Sequence, residues 1–113
     1  MRHVYFHDQQ LAAASLLARS DTRYRLAVRK FVIAHEYPRY DCRPELARIV
    51  APTLVAVGRH DWICPVDQAE EIHRLVPHSR LAIFERSGHS PQVEECPAFT
   101  RHLAAIFRSS APP

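Results

Sequence analysis

Two short, uninterrupted apolar runs constrain this chain more than any other feature: Thr53-Leu54-Val55-Ala56-Val57 and Leu81-Ala82-Ile83-Phe84. A strand covered on one face alternates apolar and polar residues, and neither run does. Both therefore read as strands buried on both faces, the pattern of a parallel sheet. Pro52 precedes the first run and Gly58 ends it, while Gly88 follows the second. Between them Asp67 to Val76 reads as a helix, with Asp67 and Glu70 at capping-box spacing and Ala69, Ile72 and Val76 on one face. Pro77 stops it. Pro97 to Phe107 reads as a further helix, with Phe99, Leu103, Ile106 and Phe107 along one stripe. The order is βαβα, and the class is α/β. Two strands covered on both faces do not complete a domain, and no internal repeat supplies more.

The first 40 residues have a different character. Gln10 to Ala18 is rich in Ala and Leu and reads as helix. Ser20 or Asp21 offers an N-cap for a second helix from Thr22 to about His35. Tyr37 to Pro44, with two prolines and two tyrosines, reads as an irregular connector. Residues 110–113 read as a disordered tail.

Composition excludes several function classes. The chain has 113 residues, 47% of them hydrophobic, which suits one small globular domain and not a disordered segment. No apolar run approaches the roughly 18 residues of a membrane span. Met1 to Gln10 has no apolar core of a secretory signal, so a cytoplasmic location is expected. The net charge of +3 comes from arginines scattered from Arg2 to Arg108, with Lys30 the one lysine. No concentrated basic patch with interleaved aromatics is present, so nucleic acid is not an expected partner. Three cysteines, Cys42, Cys64 and Cys96, make an odd, widely spaced set that fits reduced thiols and not a disulfide framework. Cys64, between Ile63 and Pro65, reads as a small packed hydrophobe. His3 and His7 stand four apart, as do His60 and Cys64, but neither pair is a recognised ligand set and no metal is expected.

In open parallel sheets, ligands bind beyond the carboxyl ends of the strands. The first strand runs into Gly58-Arg59-His60-Asp61-Trp62 and the second into Glu85-Arg86-Ser87-Gly88-His89-Ser90-Pro91. Adjacent parallel strands lie about 4.8 Å apart, so Asp61 and His89 can meet at one sheet edge. A carboxylate on one ring nitrogen fixes the imidazole tautomer and leaves the other nitrogen to act as a base. Taken singly, Asp61 is equally a turn residue and His89 a surface histidine. Trp62 reads as either pocket wall or core. Glu85, Glu94 and Glu95 read as solvated or helix-start charges.

The stretch Ile49-Val50-Ala51-Pro52-Thr53-Leu54-Val55, then Gly58-Arg59-His60-Asp61, Pro65, Ala69, Pro77, Ser87-Gly88-His89 and Glu94-Glu95-Cys96-Pro97 with Phe99 resembles the C-terminal part of the α/β-hydrolase fold. The block from Gly58 to Pro65 is most similar to the prolyl-aminopeptidase-like branch. The resemblance covers roughly Asp41 to Phe107 and implies a partial α/β-hydrolase: residues 41–109 as the C-terminal part of the core, and residues 1–40 as a remnant of the helical cap. It implies that Asp61 is the triad acid and His89 the triad base, with Trp62 a candidate substrate contact. No cofactor is implied. Family members carry a Gly-x-Ser-x-Gly nucleophile elbow before the acid and base. None of the seven serines here lies in such an elbow, and both glycines stand elsewhere. The expectation is a serine-hydrolase fragment for small ester, amide or peptide substrates, weak or inactive alone, with elbow and oxyanion donors upstream of Met1. The alternatives are a non-catalytic module that pairs through its exposed sheet, as in a homo-oligomer, or a truncated reading frame with no independent role.

Overall fold

Both apolar runs are strands of one parallel sheet, β1 (Leu54–Gly58) and β2 (Arg80–Phe84), as expected. The register pairs Leu54 with Arg80 and Gly58 with Phe84, so both strands end at the same edge. The computed structural model describes residues 6–14 and 25–109. Before the sheet lie α1 (Gln9–Ala14), α2 (Leu26–Phe31) and α3 (Arg43–Leu46). The connection from β1 to β2 is α4 (Val66–Leu75), and α5 (Pro91–Glu94) and α6 (Cys96–Ser109) follow β2.

Each sheet face has a helix on it. Val55 and Val57 pack with Ala69 and Val66 of α4, joined by Leu81 and Ile83. On the opposite face the Phe84 ring lies 5.9 Å from that of Phe99 and edge-on to His102 at 5.6 Å, both on α6. The cover is partial. Leu54, Ala56, Leu81 and Ile83 are only half-buried, because each strand has one strand neighbour and its other edge is open. Further apolar groups stay in solvent: Phe31 is 56% exposed, Phe107 69% and Val50 96%. The chain exposes 8956 Å², against about 6,300 Å² for a compact monomer of this length. Two strands and their helices do not close a core.

Several local expectations are corrected. The first helix is described over Gln9–Ala14, and its expected remainder to Ala18 lies outside the described residues, as do the Ser20 or Asp21 cap and the tail at 110–113. The second continues from α2 through a π-helical turn, Val32–Glu36, and a 3-10 turn, Tyr37–Arg39. The expected irregular connector is partly helical. Pro38 and Pro44 sit in the first turns of Tyr37–Arg39 and α3, where a missing N–H breaks no helical bond. The expected capping box of α4 does not form: Pro65 is its N-cap, and Asp67 lies in the first turn with no side-chain cap bond. Among the described residues no helix is long and apolar enough to cross a membrane.

Beyond the strands, the two loops are stitched together. Arg59 N–H donates to Phe84 O at 2.8 Å and His60 N–H to Ser87 O at 2.9 Å. The Arg59 guanidinium donates twice to the Glu85 carboxylate, at 2.9 and 2.7 Å. Gly58 permits this approach, since a Cβ there would overlap the carbonyl oxygens of Gly88 and Ser87. Two carboxylates hold the second loop from below. Glu95 Oε2 accepts from Ser87 Oγ at 2.6 Å and from Arg86 N–H at 3.0 Å. Glu94 Oε2 accepts from Gly88 N–H at 2.7 Å, while its Oε1 accepts the N–H groups of His7 at 2.5 Å and Asp8 at 3.0 Å. Neither is a merely solvated charge. Glu85, by contrast, stays exposed but is paired with Arg59.

Two substitutions test this account. Gly58→Ala forces the Ser87–Gly88 backbone aside and should lower stability by about 2 kcal/mol or more, read as a drop in the urea midpoint. Glu94→Ala strips a charged acceptor from three backbone donors and should cost about 2 kcal/mol. Hydrogen exchange should then quicken at Gly88, His7 and Asp8 while the amides of β1 keep their protection relative to the rest of the fold.

Candidate active site

Asp61 lies three residues past the end of β1 and His89 five past the end of β2, and the stitched loops bring the two side chains together. Asp61 Oδ2 is 2.8 Å from His89 Nδ1. An ionised carboxylate offers only acceptors, so the hydrogen of this bond sits on Nδ1. The other oxygen, Oδ1, accepts the backbone N–H groups of Ile63 and Cys64, each at 3.0 Å. Asp61 is thus 7% exposed, with three donors around it in place of water. Hydrogen bonds of this kind satisfy a carboxylate taken out of water. The pair has the geometry of an oriented imidazole.

Cys64 is corrected from its expected role as a packed hydrophobe. It is an exposed residue in the turn that Asp61 organises. Partial burial, then the Asp61 charge, push its thiol pKa up from the ordinary value. One ligand atom each of Asp61, Cys64 and His89 lies within 4.8 Å of the others. Spacing alone offers His3 with His7 and His60 with Cys64 as pairs of possible ligands. His3 lies outside the described residues, His7 stacks on His60 with ring centroids 3.9 Å apart, and His60 Nε2 is 3.1 Å from Glu85 O. The convergence is elsewhere, because it depends on a residue 25 positions further along the chain than Cys64 (89 − 64).

A cavity of about 240 Å³ opens beside β1, lined by Val57, Asp61, Cys64, Ala69, Ile72 and His89 among others. Its walls are mainly apolar, and its polar groups are Asp61, Cys64 and His89 of the strand-end loops and Gln68 of α4. Trp62 does not line it and is 67% exposed, so it is not core packing. A second hollow of about 390 Å³ lies on the rim among His7, Asp8, Leu11, Arg86 and Glu94. The residues that sequence reasoning missed are Glu94, Glu95 and the His7–His60 stack. No motif marks them: Glu94 acts on Gly88 and on residues 86 and 87 positions away, and Glu95 acts on Arg86 and Ser87.

The comparisons with known proteins bear on the fold. The family model described as alpha/beta hydrolase fold matches residues 6–95. A 2-hydroxy-6-oxo-6-phenylhexa-2,4-dienoate hydrolase of Burkholderia cepacia is 33% identical over 107 residues, covering 89% of this chain and 37% of its own length. A pimeloyl-[acyl-carrier protein] methyl ester esterase of Vibrio atlanticus is 35% identical over 66 residues, covering 58% of this chain and 26% of its own. Among solved structures, an alpha/beta fold family hydrolase from Bacillus anthracis superposes with a TM-score of 0.80 at 27% identity, over 92% of this chain and 37% of that one. The chain therefore spans about a quarter to two-fifths of the length of these relatives. Strand order, strand-end loops and the match over residues 6–95 place the chain in the alpha/beta hydrolase fold family.

Proposed function

We propose that this chain carries the acid and base of a serine hydrolase that cleaves small ester or amide bonds. The observation that supports the reading is the 2.8 Å bond from His89 Nδ1 to a buried Asp61, at the carboxyl ends of two parallel strands. In this reading Asp61 holds the imidazole with Nδ1 protonated, so that Nε2 takes the proton of an attacking hydroxyl and later hands it to the leaving group. Asp61 then stabilises the imidazolium formed midway. The sequence has no Gly-x-Ser-x-Gly elbow, since its glycines are Gly58 and Gly88. The nucleophile and oxyanion donors are accordingly assigned to residues other than these 113, and the chain alone to weak or absent activity. The helices before Tyr40 belong, in the same reading, to the cap over such a site, and Trp62 to its substrate-facing rim. The three free cysteines suit a reducing cytoplasm.

Ester chemistry is favoured by the methyl ester esterase among the relatives. A prolyl-aminopeptidase-like activity has narrower support, from a proline iminopeptidase of Pestalotiopsis fici that is 39% identical over 56 residues. A second reading is a non-catalytic module that pairs with a copy of itself, favoured by the open edge of β1 and the half-buried Leu54 and Ala56. A dimer in light scattering at micromolar concentration would support it, and a folded monomer would count against it.

Nitrogen NMR of the imidazoles tests the orienting role. His89 should be protonated at Nδ1 in the neutral form, and Asp61→Asn should abolish that preference. A His89 population divided between tautomers as in free histidine would remove the basis of the proposal. For activity, the chain should hydrolyse p-nitrophenyl acetate no faster than the background set by its imidazoles. Turnover well above that background, lost in His89→Ala, would overturn the assignment of weak activity.

A further inference from the structure

We propose that Asp61, Cys64 and one ring nitrogen of His89 form a binding site for a borderline-soft divalent cation, of which zinc is the type case. The inference rests on the placement of these three residues and not on the hydrolase reading. Their donor set is one carboxylate oxygen, one sulfur and one imidazole nitrogen, the three ligand types that zinc takes from proteins. The ligand atoms already lie within 4.8 Å of one another. Tetrahedral zinc, with bonds of about 2.0–2.3 Å, sets ligand atoms about 3.3–3.7 Å apart. The widest separation must therefore close by about 1 Å or a little more, and the Asp61–His89 contact must open by under about 1 Å. Rotation of the Cys64 and His89 side chains is on that scale.

The local backbone supports the arrangement. Asp61 Oδ1 is occupied by the N–H groups of Ile63 and Cys64, so the turn fixes Cys64 three residues after the carboxylate without using Oδ2. Oδ2 faces His89. All three residues line the 240 Å³ cavity, which has room for an ion and a water as fourth ligand. A thiol beside an imidazole has two ordinary uses, as nucleophile or as ligand. A dication placed between the Asp61 carboxylate and the Cys64 sulfur would be held by both.

The test uses the full chain with Co²⁺ and Zn²⁺ as probes. Co²⁺ should saturate at one equivalent with a near-ultraviolet thiolate-to-metal band, and Zn²⁺ should bleach it. Cys64→Ser should lose the band, while Cys42→Ser and Cys96→Ser keep it. His89→Ala should weaken Co²⁺ binding about tenfold or more. A measurement on the unaltered chain guards against misfolded variants: Zn²⁺ should slow iodoacetamide labelling of Cys64 about tenfold, read peptide by peptide, and leave Cys42 and Cys96 unchanged. Absence of the band, its survival in a folded Cys64→Ser, or equal protection of all three cysteines would overturn the proposal.

Discussion

The parallel register that sets Gly58 beside Phe84 is the constraint on which the rest of the structure depends. It brings both strands to an end at one edge, so that the chain leaves each strand toward the same place. A slip of one residue would turn every side chain to the other face and separate Asp61 from His89. The register is held at its end by backbone bonds from Arg59 and His60, and these need the close approach that Gly58 allows. The scarcity of glycine in this chain makes that use conspicuous. One of the two lies where backbones crowd, and the other precedes the histidine.

The Asp61–His89 contact is a consequence of that crowding plus two further carboxylates. Asp61 is satisfied on both oxygens, and the loop bearing His89 is satisfied from below by Glu94 and Glu95. The imidazole thus meets the Asp61 carboxylate from a loop whose backbone Glu94 and Glu95 secure. An arrangement of this kind has its hydrogen-bond partners already in place. It also explains why a sheet of only two strands can present an ordered rim while much apolar surface stays open.

The sheet was legible in the sequence because uninterrupted apolar runs leave few alternatives to strands covered on both faces. The site pair was legible for the same reason, since the rule for strand ends picks out the loops and few residues in them have acid–base chemistry. What stayed hidden depends on contacts that no local pattern announces, some near in sequence and some far. Glu94 and Glu95 look like any charges before a helix, and nothing near them reveals that they face the Ser87–Gly88 backbone. Cys64 between Ile63 and Pro65 has an apolar setting in sequence, yet the Asp61 turn brings it beside the imidazole. The spacing of Asp67 and Glu70 makes no capping box because Pro65 takes the N-cap position and leaves Asp67 inside the first turn. Trp62 shows the converse: its type promises burial, and its loop leaves it in solvent.

The clasp of Glu94 on His7 has a kinetic side. It joins residues 87 positions apart, so it closes a loop containing most of the chain. The entropic toll of such a closure is about 4 kcal/mol by the logarithmic rule. Contacts of that span lower folding rates relative to helical neighbours of similar size. During synthesis, residues 6–14 must wait until the segment carrying Glu94 has left the ribosome before they find their seat. This side of the rim therefore cannot close before both ends of that long loop are present.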